Sequence, residues 1–147
     1  MSIKICIVAG NYYPKISKDL ISGSVKVLKK HNIKKFSIIY SPGIFEIPYI
    51  ISKNISSFDA FIALGCVIKG KTPHFNFISK AATDGIMHLT VANKKPIWNG
   101  IITCLNKKQA QKRSDPKKKN KGGEAAKAVL SVLGFLKNDR KWSSAKS

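Results

Sequence analysis

The sequence predicts a single α/β domain in which a parallel sheet carries helices on both faces. Short apolar, β-branched runs alternate along the chain with longer segments of helical periodicity. The apolar runs end in loops built from Gly, Pro, Ser or Asn, such as Gly10-Asn11 and Ser41-Pro42-Gly43. A chain of 147 residues is also one ordinary domain, long enough to bury roughly 68–70% of its unfolded surface.

Ile3–Ala9 (IKICIVA) is expected to be a buried parallel strand: short, β-branched and stopped by Gly10. Ile16, Leu20, Ile21, Val25 and Leu28 then recur at near-helical spacing with lysines opposite, and His31-Asn32 closes that helix after Lys30. Phe36–Tyr40 forms a second strand. Phe45–Ile55 is a short helix in which Pro48 falls in the first turn, where a missing N–H is tolerated. Phe58–Ile68 makes the third strand and Pro73–Val91 the second long helix. Pro96–Cys104 is the fourth strand, with Gly100 inside it. Asn106–Arg113 and Glu124–Leu136 are the last two helices, the second rich in Ala and Leu. The core therefore spans about residues 3–136 of one domain covering 1–147, without repeat or linker. Lys137–Ser147 is a polar tail expected to fray, with Trp142 able to dock.

The loops after the strands carry the residues that suggest chemistry. In open α/β sheets, ligands bind outside the carboxyl ends of the strands. There the run FIALGCVI gives way to KGKTPHF, a Gly and Lys loop opening a helix. Thr72 is the candidate N-cap and Pro73 suits the first helical position, so the free N–H groups and the hydroxyl can hold an anion. His74 is the one histidine of three at this edge, and imidazole moves protons near neutral pH. That combination points to an enzyme.

Tyr12 or Tyr13 after the first strand either stacks on a planar heterocycle or covers a helix end. Glu46, one of seven acids, either complements a helix dipole, worth about 0.3–1 kcal/mol, or accepts from substrate hydroxyls. Its place beside two other strand-end loops favours the second role. Arg113 is one of two arginines among 27 basic residues. Its planar fork suits phosphate or carboxylate, chance retention being the alternative. Lys117–Lys121 reads as a solvated basic turn, with Lys121 its one candidate for an anion contact.

The formal net charge of +20 attracts polyanions. The lysines are nevertheless spread over the whole chain, which fits a lysine-favouring coding bias better than a binding arm. No helix-turn-helix or RNA-binding signature accompanies them, so no specific nucleic-acid partner is expected. No apolar run approaches the ~20 residues of a membrane span, and Ile3–Ala9 is too short for a secretory signal. Cys6, Cys66 and Cys104 lack CxxC spacing, which predicts reduced thiols in a cytoplasmic protein and no metal site.

The segments VAGNYY, SPGIFEIP, ALGCVIKGKTPHF, PIWNGIIT, NKKQAQKR and KNKGGEAA together resemble the lumazine synthase family. They lie in the family's order over roughly Ile5 to Leu136, and a PG-x-FEIP followed by G-x-VI-[RK]-G-x-[TS]-x-HF is a specific combination. The resemblance implies a flavodoxin-like three-layer sandwich around a four-stranded parallel sheet. It implies a homopentamer, packed in some members into a hollow icosahedral shell, with active sites between neighbouring subunits. The implied reaction belongs to riboflavin biosynthesis and needs neither metal nor organic cofactor. It condenses 5-amino-6-ribitylaminouracil with 3,4-dihydroxy-2-butanone 4-phosphate.

Residue by residue, the resemblance implies that Tyr12 stacks on the pyrimidine. Ile44, Phe45 and Glu46 surround the ribityl chain, and the backbone of Cys66, Val67 and Ile68 flanks the ring. Lys71 and Thr72 match the phosphate loop, and His74 the proton-transfer residue. Across the interface, Asn99 closes the ring pocket, Arg113 grips the phosphate and Lys121 lies nearby. Lys69, Pro73, Asn76 and Asn99 depart from the commoner Arg, Thr or Ser, acid and aromatic residue. Two rival readings are an archaeal-type riboflavin synthase on the same fold and a non-catalytic, basic shell-forming or nucleic-acid-binding protein. Retention of the phosphate loop argues against the first, and the lack of a helix-turn-helix or RNA-binding signature against the second.

Overall fold

Ile5, Cys6, Ile7, Val8 and Ala9 expose no surface at all, as a strand covered on both faces requires. In the computed structural model, which describes residues 2–135, they form β1 (Lys4–Gly10) at the centre of the molecule. β2 (Lys35–Ser41), β3 (Ala60–Ile68) and β4 (Ile97–Cys104) complete one sheet in the order β2-β1-β3-β4. Every pairing is parallel, with Ala9 opposite Leu64 and Ile68 opposite Cys104. Leu136, Trp142 and the expected tail lie outside the described residues.

Alternate strand residues part to opposite faces. Ile5, Ile7 and Ala9 meet Ile16, Leu20 and Leu28 of α1 (Pro14–Lys30), Ala110 of α4 (Lys107–Ser114), and Val129 and Leu130 of α5 (Lys121–Val132). Cys6 and Val8 meet Ile47 and Ile51 of α2 (Ile47–Lys53) and Ala82 and Ile86 of α3 (His74–Asn93). Each fully buried Ile or Leu contributes about 1.5–3 kcal/mol, so the two apolar layers hold the three-layer sandwich together. The four strands and the helices on both faces agree with the sequence reading.

The differences lie at element ends. α2 is shorter than Phe45–Ile55, because Glu46 is already its N-cap and Asn54 its C-cap. α3 starts at His74, with Pro73 in the N-cap position and not the first helical one. Thr72 is therefore not the cap, although its hydroxyl accepts a long 3.4 Å bond from the His74 N–H. Proline donates nothing at either position, so its ring could not tell the two registers apart. α5 starts at Lys121, ahead of the expected Glu124. Asn120 (φ +48°) caps it by accepting from the Gly123 N–H at 3.1 Å. Gly122 belongs inside the helix because a Cβ there would overlap the Leu20 carbonyl of α1. The close crossing of α1 and α5 demands glycine where helix propensity argues against it.

Candidate active site

β1 hands the chain to α1 on one face of the sheet, and β3 hands it to α3 on the other. Adjacent strands whose connections diverge in this way open a crevice at their carboxyl ends. A cavity of about 600 Å³ occupies that place. Tyr12 and Tyr13 line it from the end of β1, and Gly43, Ile44, Phe45 and Glu46 from the loop after β2. Cys66, Val67 and Ile68 line it from β3, and Gly70, Thr72, His74, Phe75 and Ile78 from the segment beyond.

The floor is built by close packing. Ile44 is buried, and its Cδ1 fills the space a Cβ at Gly65 would need. Glycine in the middle of β3 thus lets the β2–α2 loop sink onto the sheet and bring Phe45 and Glu46 to the rim. Glu46 is half-buried, and among the described residues its carboxylate has no hydrogen-bond partner. No N–H of α2 takes it as a cap, so its acceptor oxygens remain available to a ligand. The Tyr12 ring meets that of Tyr13 edge-on, with centroids 4.9 Å apart and planes at 82°. That contact leaves Tyr12, which is largely exposed, free to present a face to a planar ring. His74 is exposed at the first turn of α3. Burial, helped by Cys104, pushes the Cys66 thiol up to about 12, so Cys66 contributes wall and backbone, not a thiolate.

A second, smaller depression of about 210 Å³ lies along β4 and the start of α5. Asn99, Arg113 and Lys121 line it together with Trp98, Thr103 and Glu124. Three side-chain contacts here fall on the outer edge of β4. The even-numbered residues of β4 turn their carbonyls to β3, as Pro96 and Cys104 do in accepting from Phe61 and Lys69. The odd-numbered residues face outward. Thr90 Oγ1 donates to the Ile97 carbonyl at 3.4 Å, and Arg113 Nη1 to the Thr103 carbonyl at 3.3 Å. The Ile101 N–H donates to Asn99 Oδ1 at 3.1 Å. Lys121 pairs with Glu124 at 3.1 Å.

The candidates from sequence therefore fall into two groups. Tyr12, Ile44, Phe45, Glu46, Cys66, Val67, Ile68, Thr72 and His74 share the cavity, whereas Asn99, Arg113 and Lys121 share the β4 depression. Lys71 is exposed in the β3–α3 loop and does not line either space. Sequence reasoning missed Phe75 and Ile78, which His74 could have flagged, since 74, 75 and 78 share one face of a helix. Among the described residues there is no cluster of three or more His, Cys, Asp or Glu side chains fit to hold a metal. No helix there is long and apolar enough to cross a membrane.

Comparison with known proteins bears on the family of the chain. Residues 2–137 match the family described as 6,7-dimethyl-8-ribityllumazine synthase. The chain is 40% identical over 136 residues to the 6,7-dimethyl-8-ribityllumazine synthase of Bartonella tribocorum, covering 90% of this chain and 89% of that protein. It is also 40% identical over 137 residues to the protein of that name from Bartonella bacilliformis, covering 90% of each. With a parallel sheet open at the β1–β3 crevice and a match over nearly its whole length, the chain belongs to the 6,7-dimethyl-8-ribityllumazine synthase family.

Proposed function

We propose that this chain condenses 5-amino-6-ribitylaminouracil with 3,4-dihydroxy-2-butanone 4-phosphate to 6,7-dimethyl-8-ribityllumazine, releasing phosphate and water. The observation that carries the assignment of roles is the cavity at the β1–β3 crevice, where an unpaired carboxylate, an exposed aromatic ring and a histidine converge. Tyr12 stacks on the pyrimidine and Glu46 accepts from the ribityl hydroxyls. The backbone of Cys66, Val67 and Ile68 flanks the ring, with Ile44 and Phe45 beside the ribityl chain. His74 moves protons during imine formation and phosphate loss. Lys71 and Thr72 stand on the phosphate side. Much of the acceleration comes from holding two partners that are already inclined to react.

The groups best suited to grip a phosphate, Arg113 and Lys121, lie in the β4 depression with Asn99 and not in the cavity. A complete site therefore joins the cavity of one subunit to the β4 depression of the next, in a homopentamer that can pack into a larger shell. Exposed apolar surface supports this. Of α3, only Ala82 and Ile86 are buried, while Phe77, Met87 and Val91 are 69%, 61% and 68% exposed. Such a stripe suits burial against another subunit. A cytoplasmic setting is supported by three free, buried cysteines.

The test is to mix the purified protein with both substrates and follow the absorbance of the lumazine product. Formation well above the spontaneous rate is expected. Arg113→Ala is expected to raise the KM for the butanone phosphate by about tenfold or more, as loss of a charge-assisted bidentate contact should. Product at the background rate only would overturn the assignment. An unchanged KM would remove Arg113 from the phosphate site.

A further inference from the structure

Asn99 is held on two sides. The Ile101 N–H lies 3.1 Å from its Oδ1, and its Nδ2 lies 3.2 Å from Thr83 Oγ1 on α3. A backbone N–H can only donate, so the atom facing it must be the amide oxygen. The amide nitrogen is thereby turned toward Thr83, whose hydroxyl oxygen accepts. The side-chain orientation is forced by this chemistry, independently of how the amide is drawn. One amide proton remains uncommitted.

Thr83 stands apart from the other hydroxyls of α3. Ser79 donates to the Phe75 carbonyl at 2.7 Å and Thr90 to the Ile86 carbonyl at 3.0 Å, each bonding back one turn along the helix. Thr83 has no such bond back along the helix; Thr90, whose hydroxyl also lies 3.4 Å from the Ile97 carbonyl of β4, keeps its own, and Thr83 is left to accept from Asn99. The depression around Asn99 also holds Arg113, Lys121 and the Trp98 indole, which only donate, the Thr103 hydroxyl, and a Glu124 carboxylate already engaged by Lys121.

We infer that Thr83 is a positioning residue that fixes the Asn99 amide with an N–H toward the site, so that the ligand group received there is a hydrogen-bond acceptor. Under the proposed function, on which this rests, the acceptor is a ring carbonyl of the aminouracil. Without the hydroxyl, Asn99 keeps its bond to Ile101 but its nitrogen loses its tether. The donor must then be ordered each time substrate binds.

Thr83→Val keeps the branched shape and removes only the hydroxyl. It is expected to raise the KM for the aminouracil about fivefold, the scale of one net hydrogen bond, and to leave the KM for the butanone phosphate unchanged. Thr83→Ser restores the aminouracil KM. Asn99→Ala carries a similar penalty, and adding Thr83→Val to it costs nothing more, because Thr83 acts only through Asn99. A wild-type aminouracil KM in Thr83→Val, or additive losses in the double variant, overturns the inference while leaving the proposed function intact. No turnover by the unmodified protein overturns both.

Discussion

Burial pushes the Cys66 thiol up to about 12 and the Cys6 thiol up to about 11. Cys104 is raised by burial as well, although the Arg113 guanidinium pulls it the other way. All three should resist iodoacetamide at pH 8 in the folded protein and react once it is unfolded in denaturant, counted by mass spectrometry. Labelling of the folded protein at Cys66 would mean that the cavity wall opens to solvent. The sign for stability follows from the same shifts. Folding favours the neutral thiols, so their contribution is complete below the ordinary value of 9.0 and is lost as pH rises toward 11 and 12. The urea midpoint should therefore fall between pH 8 and pH 10.5, and fall less in a Cys66→Val variant. Glu46 makes a different point about single residues. Its two readings, dipole partner or substrate acceptor, are indistinguishable in the sequence, because both place an acid at the start of a helix. In the structure Glu46 stands at the N-cap of α2 without a cap bond, a placement that suits either role.

β1 and β3 were legible because strands covered on both faces are written as unbroken apolar runs, and their glycine-ended loops led directly to the cavity. α5 was legible from Glu124 onward, all but its first turn. Its first turn reads as a basic turn because Gly122 and Gly123 oppose helix formation locally; the reason for Gly122 lies in α1, a hundred residues away in sequence, and Gly123 makes room for the capping Asn120 side chain. Gly122→Ala should cost about 1–3 kcal/mol, the scale of overpacking, seen as a lower urea midpoint. Gly70→Ala, with nothing within 4 Å of the added Cβ, should leave the midpoint nearly unchanged. Equal midpoints in the two variants would mean that α1 and α5 part easily. The division of the site had a similar cause. Spacing along one chain cannot say that the residues from β4 onward gather on a different surface from those of the β1–β3 crevice; only the family resemblance implied that division.

At the scale of the assembly, a site shared between subunits has a signature that no single-chain site can imitate. Under the proposed function, His74→Ala and Arg113→Ala damage opposite halves. In a ring where each cavity faces the next subunit's β4 depression, random mixing of the two variants leaves about a quarter of the sites with both halves intact. Unfolding the variants together and refolding them should give a rate above the mean of the two alone, whereas sites contained in one subunit give the mean. Separately refolded variants, combined afterwards, serve as the control.

The outer edge of β4 has a consequence for proteostasis. A terminal strand with bare N–H and C=O groups is a template on which stray strands grow. Here Thr90, Asn99 and Arg113 each cover one of those groups with a side chain. Two of the three are also substrate ligands in the proposed reaction, so under that proposal the same side chains serve the site and cover the edge. Selection that relaxed either ligand would loosen this guard against misassembly at the same stroke.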